Sequence, residues 1–144
     1  MKDKIFPSKA IIFMAVIGLM QLVQILHNGW STAETPYRNI SVVQFTEMME
    51  KKDFILINVH IPYQGEIPNT DTLIPFNSLE QHRSGLPKDK DAKIVVYCMT
   101  GPMGHIAAEK LVIMGYTNVL HFEGGMKAWA RSGRQLVNRK KSDL

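Results

Sequence analysis

Three short apolar runs, separated by helical or irregular segments, constrain what this chain can fold into. The runs cover residues 54–59, 94–97 and 119–122. The first is almost continuously apolar, which is typical of a strand buried on both faces of a sheet. The residues that follow the second and third runs have the spacing of helices, over 104–114 and 126–131. Since strands that alternate with helices form parallel sheets, the sequence predicts an α/β fold with a central, mainly parallel sheet flanked by helices on both faces.

Weaker signals predict the connecting elements. Ser41 and Gln44 have the spacing of a capping box, so a helix is expected to begin there. Residues 62–71 are rich in Pro, Gly and Asn and are expected to be irregular. A short strand over residues 73–76 and a short helix over residues 78–82 are expected to follow.

The composition fits one compact domain with short additional segments. Apolar residues make up 45% of the 144-residue chain, which is enough for a core. The formal net charge is +4, but no interleaved aromatic and basic residues accompany it, so nucleic acid is not an expected partner.

The predicted organisation is a basic cytoplasmic end over residues 1–9, a transmembrane anchor or signal segment over 10–26, a linker over 27–39, the α/β domain over 40–135 and a basic tail over 136–144.

The segment over residues 10–26 is almost wholly apolar and follows three lysines. As a helix it would span roughly 25 Å, slightly less than the hydrocarbon core of a bilayer. No Lys or Arg follows it through Glu34, an asymmetry that leaves the start of the chain in the cytoplasm and exports the rest. The expected location is the cell membrane, through residues 10–26, with the domain in the bacterial periplasm or at the cell surface. The alternatives are a secreted protein, if residues 1–33 are cleaved, and a buried core helix.

Cys98 is the single cysteine of the chain, and it directly follows the apolar run over residues 94–97. A turn containing Gly101 and then a helix come next. Backbone N–H groups and the positive end of a helix dipole converge at such a place, which favours a thiolate over a thiol. The other interpretation of Cys98 is a small hydrophobic residue packed at a strand end.

Four stretches together resemble the single-domain rhodanese family of sulfurtransferases. They are Ile57-Asn58-Val59-His60, the loop that begins at Cys98, Gly115-Tyr116-Thr117-Asn118-Val119, and Glu123-Gly124-Gly125-Met126-Lys127-Ala128-Trp129. The resemblance covers about residues 40–135 and implies a rhodanese-like fold. It also implies that the cysteine takes a sulfane sulfur from a small sulfur-containing donor, holds it as a persulfide and passes it to a thiol acceptor. No cofactor is expected.

A persulfide is an anion and is stabilised by N–H donors around it. The backbone of the loop is expected to supply them, from Met99, Thr100, Gly101, Met103 and Gly104. His60, Glu66 and His105 are candidate pocket residues. Against these roles, His60 and Glu66 could lie on a loop surface and His105 on a partly exposed helix.

The loop departs from the family in ways that bear on the donor. The family usually has Arg directly after the cysteine, a second Arg later and Ser where the helix begins. This chain has Met99, no arginine in the loop, and Gly104 in the place of Ser. The family's Asp-Val-Arg is also replaced, by residues 58–60, and Pro102 removes one N–H from the loop. Because Met cannot form a charge-assisted bond to thiosulfate, a neutral persulfide, a polysulfide or a protein thiol is the expected donor.

Other chemistries fit the sequence less well. Phosphatases of the Cys-x5-Arg type need an arginine six places after the nucleophile, and that place holds Gly104. A single cysteine cannot run a Cys-x-x-Cys redox cycle, and the five histidines lack the spacing of metal ligands. Two alternatives to the enzyme remain. One is a rhodanese-like module that binds a protein partner, and the other is a sensor in which Cys98 is oxidised.

Overall fold

The computed structural model describes residues 36–139. The strands and helices follow in the order β1 (Arg38–Ile40), α1 (Val42–Glu50), β2 (Ile55–Asn58), β3 (Thr72–Leu73), β4 (Ile94–Tyr97), α2 (Pro102–Ile113), β5 (Val119–Phe122) and α3 (Gly125–Arg131), with a short 3-10 helix at Arg83–Gly85 between β3 and β4.

The strands form one five-stranded sheet in the order β1-β5-β4-β2-β3, and every neighbouring pair is parallel. This confirms the predicted α/β fold with a central parallel sheet. Strand β4 lies in the middle, and all four of its residues are buried. Since the strands are parallel, their carboxyl ends share one edge of the sheet, and Cys98 therefore lies at the centre of that edge.

Two apolar clusters cover the two faces of the sheet. Alternate residues of β4 divide between them: Ile94 and Val96 belong to one cluster, and Val95 and Tyr97 to the other. The first cluster includes Ala107, Ala108 and Leu111 of α2. The second includes Phe45 of α1 and Met126 and Trp129 of α3. Helix α2 thus covers one face, and α1 and α3 cover the other.

Side-chain capping begins α1 as the sequence predicts. Ser41 Oγ accepts a hydrogen bond from Gln44 N–H at 3.3 Å, and Gln44 Oε1 accepts one from Ser41 N–H at 2.9 Å. The predicted capping box is therefore confirmed. Phe45 is then buried, and its ring stacks on that of Phe122 with 4.3 Å between the centroids. The first turn of α1 is fixed against β5 in this way.

Three short elements differ from the predictions. Arg38 and Asn39, expected in a linker, pair with β5 as part of β1. The expected helix over residues 78–82 is a series of turns, and the 3-10 helix comes directly after it. Of the strand expected over residues 73–76, only Leu73 belongs to β3, although the N–H groups of Ile74 and Phe76 still donate to the carbonyls of Asn58 and Val59.

Residues beyond the predicted boundary at 135 form backbone hydrogen bonds with the domain. Val137 and Glu66 exchange two backbone hydrogen bonds, of 2.8 and 2.9 Å. The backbone N–H of Arg139 donates to Tyr63 Oη at 2.6 Å. Residues 136–139 were expected to belong to a basic tail, but their backbone is bonded to the loop between β2 and β3.

The predicted basic end over residues 1–9, the anchor or signal segment over 10–26 and residues 27–35 of the linker lie outside the described residues, as do residues 140–144. Within residues 36–139, no helix is both long enough and apolar enough to cross a membrane.

Candidate active site

The sulfur of Cys98 lies against the backbone of the loop that follows β4. Gly101 N–H donates a hydrogen bond to Cys98 Sγ with 3.0 Å between the nitrogen and the sulfur. Gly101 has a φ of 139°, which side-chain-bearing residues rarely adopt. This conformation turns the loop back, so that its amide reaches the thiol three residues earlier. Cys98 itself is 2% exposed.

The carbonyl side of the same segment is held by the start of α3. Met126 N–H donates to the Cys98 carbonyl at 2.9 Å, and Lys127 N–H donates to the Met99 carbonyl at 3.0 Å. A Cβ on Gly125 would overlap the Cys98 carbonyl oxygen. Glycine is therefore required there, because the α3 backbone passes directly against that of Cys98. Sequence reasoning placed Gly124 and Gly125 in a stretch that resembles the rhodanese family and missed this contact.

The side chains of the loop supply apolar surroundings and no charge. Met99 is partly buried against the cluster on the α1 and α3 face, and Met103 is partly buried against the cluster on the α2 face. Thr100 is exposed, and Gly101 and Gly104 are buried. The two methionines thus pack against the clusters on opposite faces of the sheet, and neither carries a charge.

His60 lies at the same edge of the sheet, just after β2. It is 8% exposed, and its Nε2 lies 2.8 Å from Gln64 Oε1. Its Nδ1 is buried, with no hydrogen-bond partner among residues 36–139. The neighbouring Asn58 accepts from His60 N–H at 3.0 Å and donates to the Gly65 carbonyl at 3.1 Å. Asn58, in the place of the family's aspartate, therefore bonds to the loop between β2 and β3.

Glu66 is buried, but its charge is paired. Arg139 Nε donates to both carboxylate oxygens of Glu66 at 3.2 Å, and Arg139 Nη2 lies 3.1 Å from Oε2. Nη2 of the same guanidinium also donates to the Thr70 carbonyl at 3.3 Å. The predicted pocket residue Glu66 therefore joins the loop between β2 and β3 to the C-terminal segment, and it is not a free carboxylate.

His105, in the first turn of α2, contacts Tyr37, the residue before β1, and His121 of β5. Its Nδ1 lies 2.7 Å from Tyr37 Oη, and its ring centroid lies 4.2 Å from that of His121. His121 is fully buried in β5. Burial, and secondly the charge of a protonated His105, lower the pKa of His121 to about 4. Sequence reasoning did not select His121, although a histidine within the apolar run over residues 119–122 was a visible signal.

Comparison with known proteins agrees with this geometry. Residues 41–132 match the rhodanese-like domain family. The chain belongs to that family. A sulfurtransferase from Allochromatium vinosum is 34% identical over 93 residues, which cover 62% of this chain and 84% of that protein. The thiosulfate sulfurtransferase GlpE from Pseudoalteromonas translucida is 29% identical over 106 residues, 72% of this chain and 98% of that protein.

Solved structures give the same result for the fold. The crystal structure of a rhodanese-related protein from Thermoplasma volcanium aligns with a TM-score of 0.60 and 27% sequence identity, over 70% of this chain and 98% of that one. The rhodanese-like family and its sulfurtransferase relatives support sulfur transfer at the level of the family. Among residues 36–139, no group of three or more His, Cys, Asp or Glu side chains is placed to hold a metal ion.

Proposed function

We propose that this rhodanese-like domain transfers sulfane sulfur through a persulfide on Cys98. The observation that carries the proposal is the hydrogen bond from Gly101 N–H to Cys98 Sγ, 3.0 Å long. An N–H in that position stabilises negative charge on the thiolate and, after transfer, on the persulfide formed from it. The hydrogen bonds from α3 to the Cys98 and Met99 carbonyls hold the backbone that carries the sulfur.

The chemistry consists of two displacements at sulfur. In the first, the Cys98 thiolate attacks the sulfane sulfur of a donor. A bond forms between Cys98 Sγ and that sulfur, the donor's own S–S bond breaks, and its electron pair leaves with the donor thiolate. In the second, an acceptor thiolate attacks the outer sulfur of the persulfide and releases the Cys98 thiolate. The sulfane sulfur passes from thiol to thiol, so no external oxidant or reductant is needed.

We further propose that the donor is an organic persulfide or a polysulfide rather than thiosulfate. Thiosulfate carries a sulfonate end that a guanidinium would bind with paired, charge-assisted hydrogen bonds. The segment from Cys98 to Gly104 contains no charged side chain. Met99 and Met103 offer polarisable apolar surface instead, which suits a donor that has sulfur or carbon, and no sulfonate oxygen, next to the transferred atom.

Intact mass spectrometry tests this function directly. The protein is incubated with inorganic polysulfide, with an organic persulfide or with thiosulfate, at equal concentrations. We expect a gain of one sulfur mass from the first two donors and a slower gain from thiosulfate. Protein alkylated on Cys98 beforehand is the control and should gain nothing. The function is refuted if no donor adds sulfur, and the donor preference is refuted if thiosulfate reacts fastest.

Restoring a positive charge next to the cysteine should improve the reaction with thiosulfate. We expect Met99→Arg to raise the rate of sulfur uptake from thiosulfate about tenfold, since a hydrogen bond to a charged group contributes that order of free energy. The rate with polysulfide should change less. Val43→Arg, on the exposed outer side of α1, adds the same charge elsewhere and should leave both rates unchanged. An unchanged or lower thiosulfate rate in folded Met99→Arg would contradict our explanation of the loop.

A further inference from the structure

His121 is a buried polar residue whose hydrogen bonding is incomplete. Its Nδ1 lies 2.9 Å from Asn39 Oδ1 in the neighbouring strand β1. Because an amide oxygen only accepts hydrogen bonds, Nδ1 carries the proton in this pair. Nε2 is buried and has no hydrogen-bond partner among residues 36–139. A buried nitrogen without a partner is uncommon and calls for an explanation.

The His121 ring lies directly against the loop that holds the sulfur. A Cβ on Gly104, in the first turn of α2, would stand only 2.5 Å from His121 Cδ2 and Nε2. A Cβ on Gly101 would stand 3.9 Å from His121 Cε1, at ordinary contact distance. The ring therefore occupies the space that a side chain at position 104 would take. It also lies beside Gly101, whose N–H donates to Cys98 Sγ.

Several groups face His121 and set its charge. Burial, and secondly the charge of a protonated His105, lower the pKa of His121 to about 4, against the smaller opposing effect of the Gly101 backbone. His105 approaches from α2, with 4.2 Å between the ring centroids, and Tyr37 approaches edge-on at 6.4 Å. The ring is therefore neutral at neutral pH. A neutral ring packs beneath the loop without adding charge next to the cysteine.

We propose that His121 is a positioning residue for the sulfur-carrying loop: its ring, held by Asn39 and fitted against Gly104, sets the place of the Gly101 N–H relative to Cys98 Sγ. The inference rests on the proposed role of Cys98 as the sulfur carrier. This role explains why Gly104, which has no side chain, lies against the large ring of His121 in β5. The ring fills the space that a side chain at position 104 would otherwise occupy. Neither residue touches the reacting atoms in this role.

The rate at which iodoacetamide alkylates Cys98, measured from mildly acidic to alkaline pH, tests this positioning without any sulfur donor. In His121→Ala the loop loses its support, so the hydrogen bond to the thiolate weakens. We expect alkylation at neutral pH to slow about tenfold and the midpoint of the pH–rate profile to move to higher pH, since hydrogen bonds to charged groups contribute that order of free energy. His82→Ala, which removes an exposed histidine, should behave as wild type.

A double-mutant cycle separates positioning from general destabilisation. Gly104→Ala places a methyl group against the His121 ring and should also slow alkylation. In the His121→Ala background the same methyl has room, and Ala is favoured over Gly inside a helix. The double variant should therefore react within about threefold of wild type, because substitutions at two residues in contact do not act independently. Independent, additive effects of the two substitutions would overturn the proposal.

Asn39→Ala keeps the test decisive if the ring variants fail to fold. Asn39 is exposed, so its loss removes the hydrogen bond to His121 and leaves the core intact. We expect slower alkylation and a profile moved to higher pH, and a wild-type profile would overturn the proposal. Since alkylation involves no sulfur transfer, these outcomes are distinct from failure of the proposed function. That failure would appear as a normal alkylation profile in a protein that never gains sulfur.

Discussion

Cys98→Ser should gain no sulfur from polysulfide, persulfide or thiosulfate while folding as the wild-type protein does. Cys98 is the single cysteine, and a serine hydroxyl is not ionised at neutral pH and cannot carry a persulfide. The substitution is small, and the Gly101 N–H that donates to Sγ can donate to the new hydroxyl instead. Intact mass spectrometry measures the sulfur gain, and thermal unfolding followed by circular dichroism checks the fold. Sulfur retained by folded Cys98→Ser would show that the carrier lies elsewhere.

The same variant separates the enzyme from its two alternatives. A binding module would take up no sulfur as wild type, and Cys98→Ser would still bind its protein partner. A redox sensor would form a sulfenic acid with peroxide, which a dimedone probe labels in the wild type and not in Cys98→Ser. The enzyme requires sulfur uptake in the wild type and its complete loss in the variant. The absence of charge from the loop favours the binding module, whereas the Gly101 N–H aimed at Sγ favours the enzyme.

The elements predicted well were those whose signal is local. The runs over residues 54–59 and 94–97 are apolar because their strands are buried on both faces, and the capping box is closed by residues three apart. Strand β1 was missed because it is short and its outer edge is exposed, so its pairing depends on β5, some 80 residues later. The contacts of residues 136–139 were missed for the same reason. The pairing of Glu66 with Val137 and Arg139 leaves no pattern in either segment.

In the candidate site, too, the local features could be predicted and the contacts between distant segments could not. The strand, the loop and the glycine turn around Cys98 are contiguous in sequence, so their arrangement could be predicted. The groups that fix the loop come from elsewhere: Gly125 begins α3, and His121 lies in β5. Their contacts depend on the order and register of the strands, which place β5 beside β4 with Val96 opposite His121. Register of this kind follows from the packing of the whole domain, and periodicity along the chain does not contain it.

Gly125→Ala should be among the most damaging single substitutions in the described domain, because two costs combine at this position. Gly125 has a φ of 49°, in the left-handed region. Its added Cβ would also overlap the Cys98 carbonyl oxygen. That oxygen belongs to the backbone directly after the central strand β4, so it cannot rotate away as the end of a side chain could. Relief of the overlap requires α3 to move, which breaks the hydrogen bonds from Met126 and Lys127 to the loop. We expect the free energy of unfolding to fall by about 4 kcal/mol, as for other severe steric substitutions.

Gly133→Ala is the matched control for this prediction. Gly133 also has a positive φ, of 84°, but a Cβ there meets nothing within 4 Å. It should therefore cost about 1–2 kcal/mol, the penalty of the left-handed conformation alone. Urea unfolding of both variants measures the difference, and sulfur uptake by the folded fraction should fall only in Gly125→Ala. If the two substitutions cost the same, the contact between α3 and the Cys98 carbonyl does not constrain the loop. Gly124 and Gly125 would then serve only to end β5 and to begin α3.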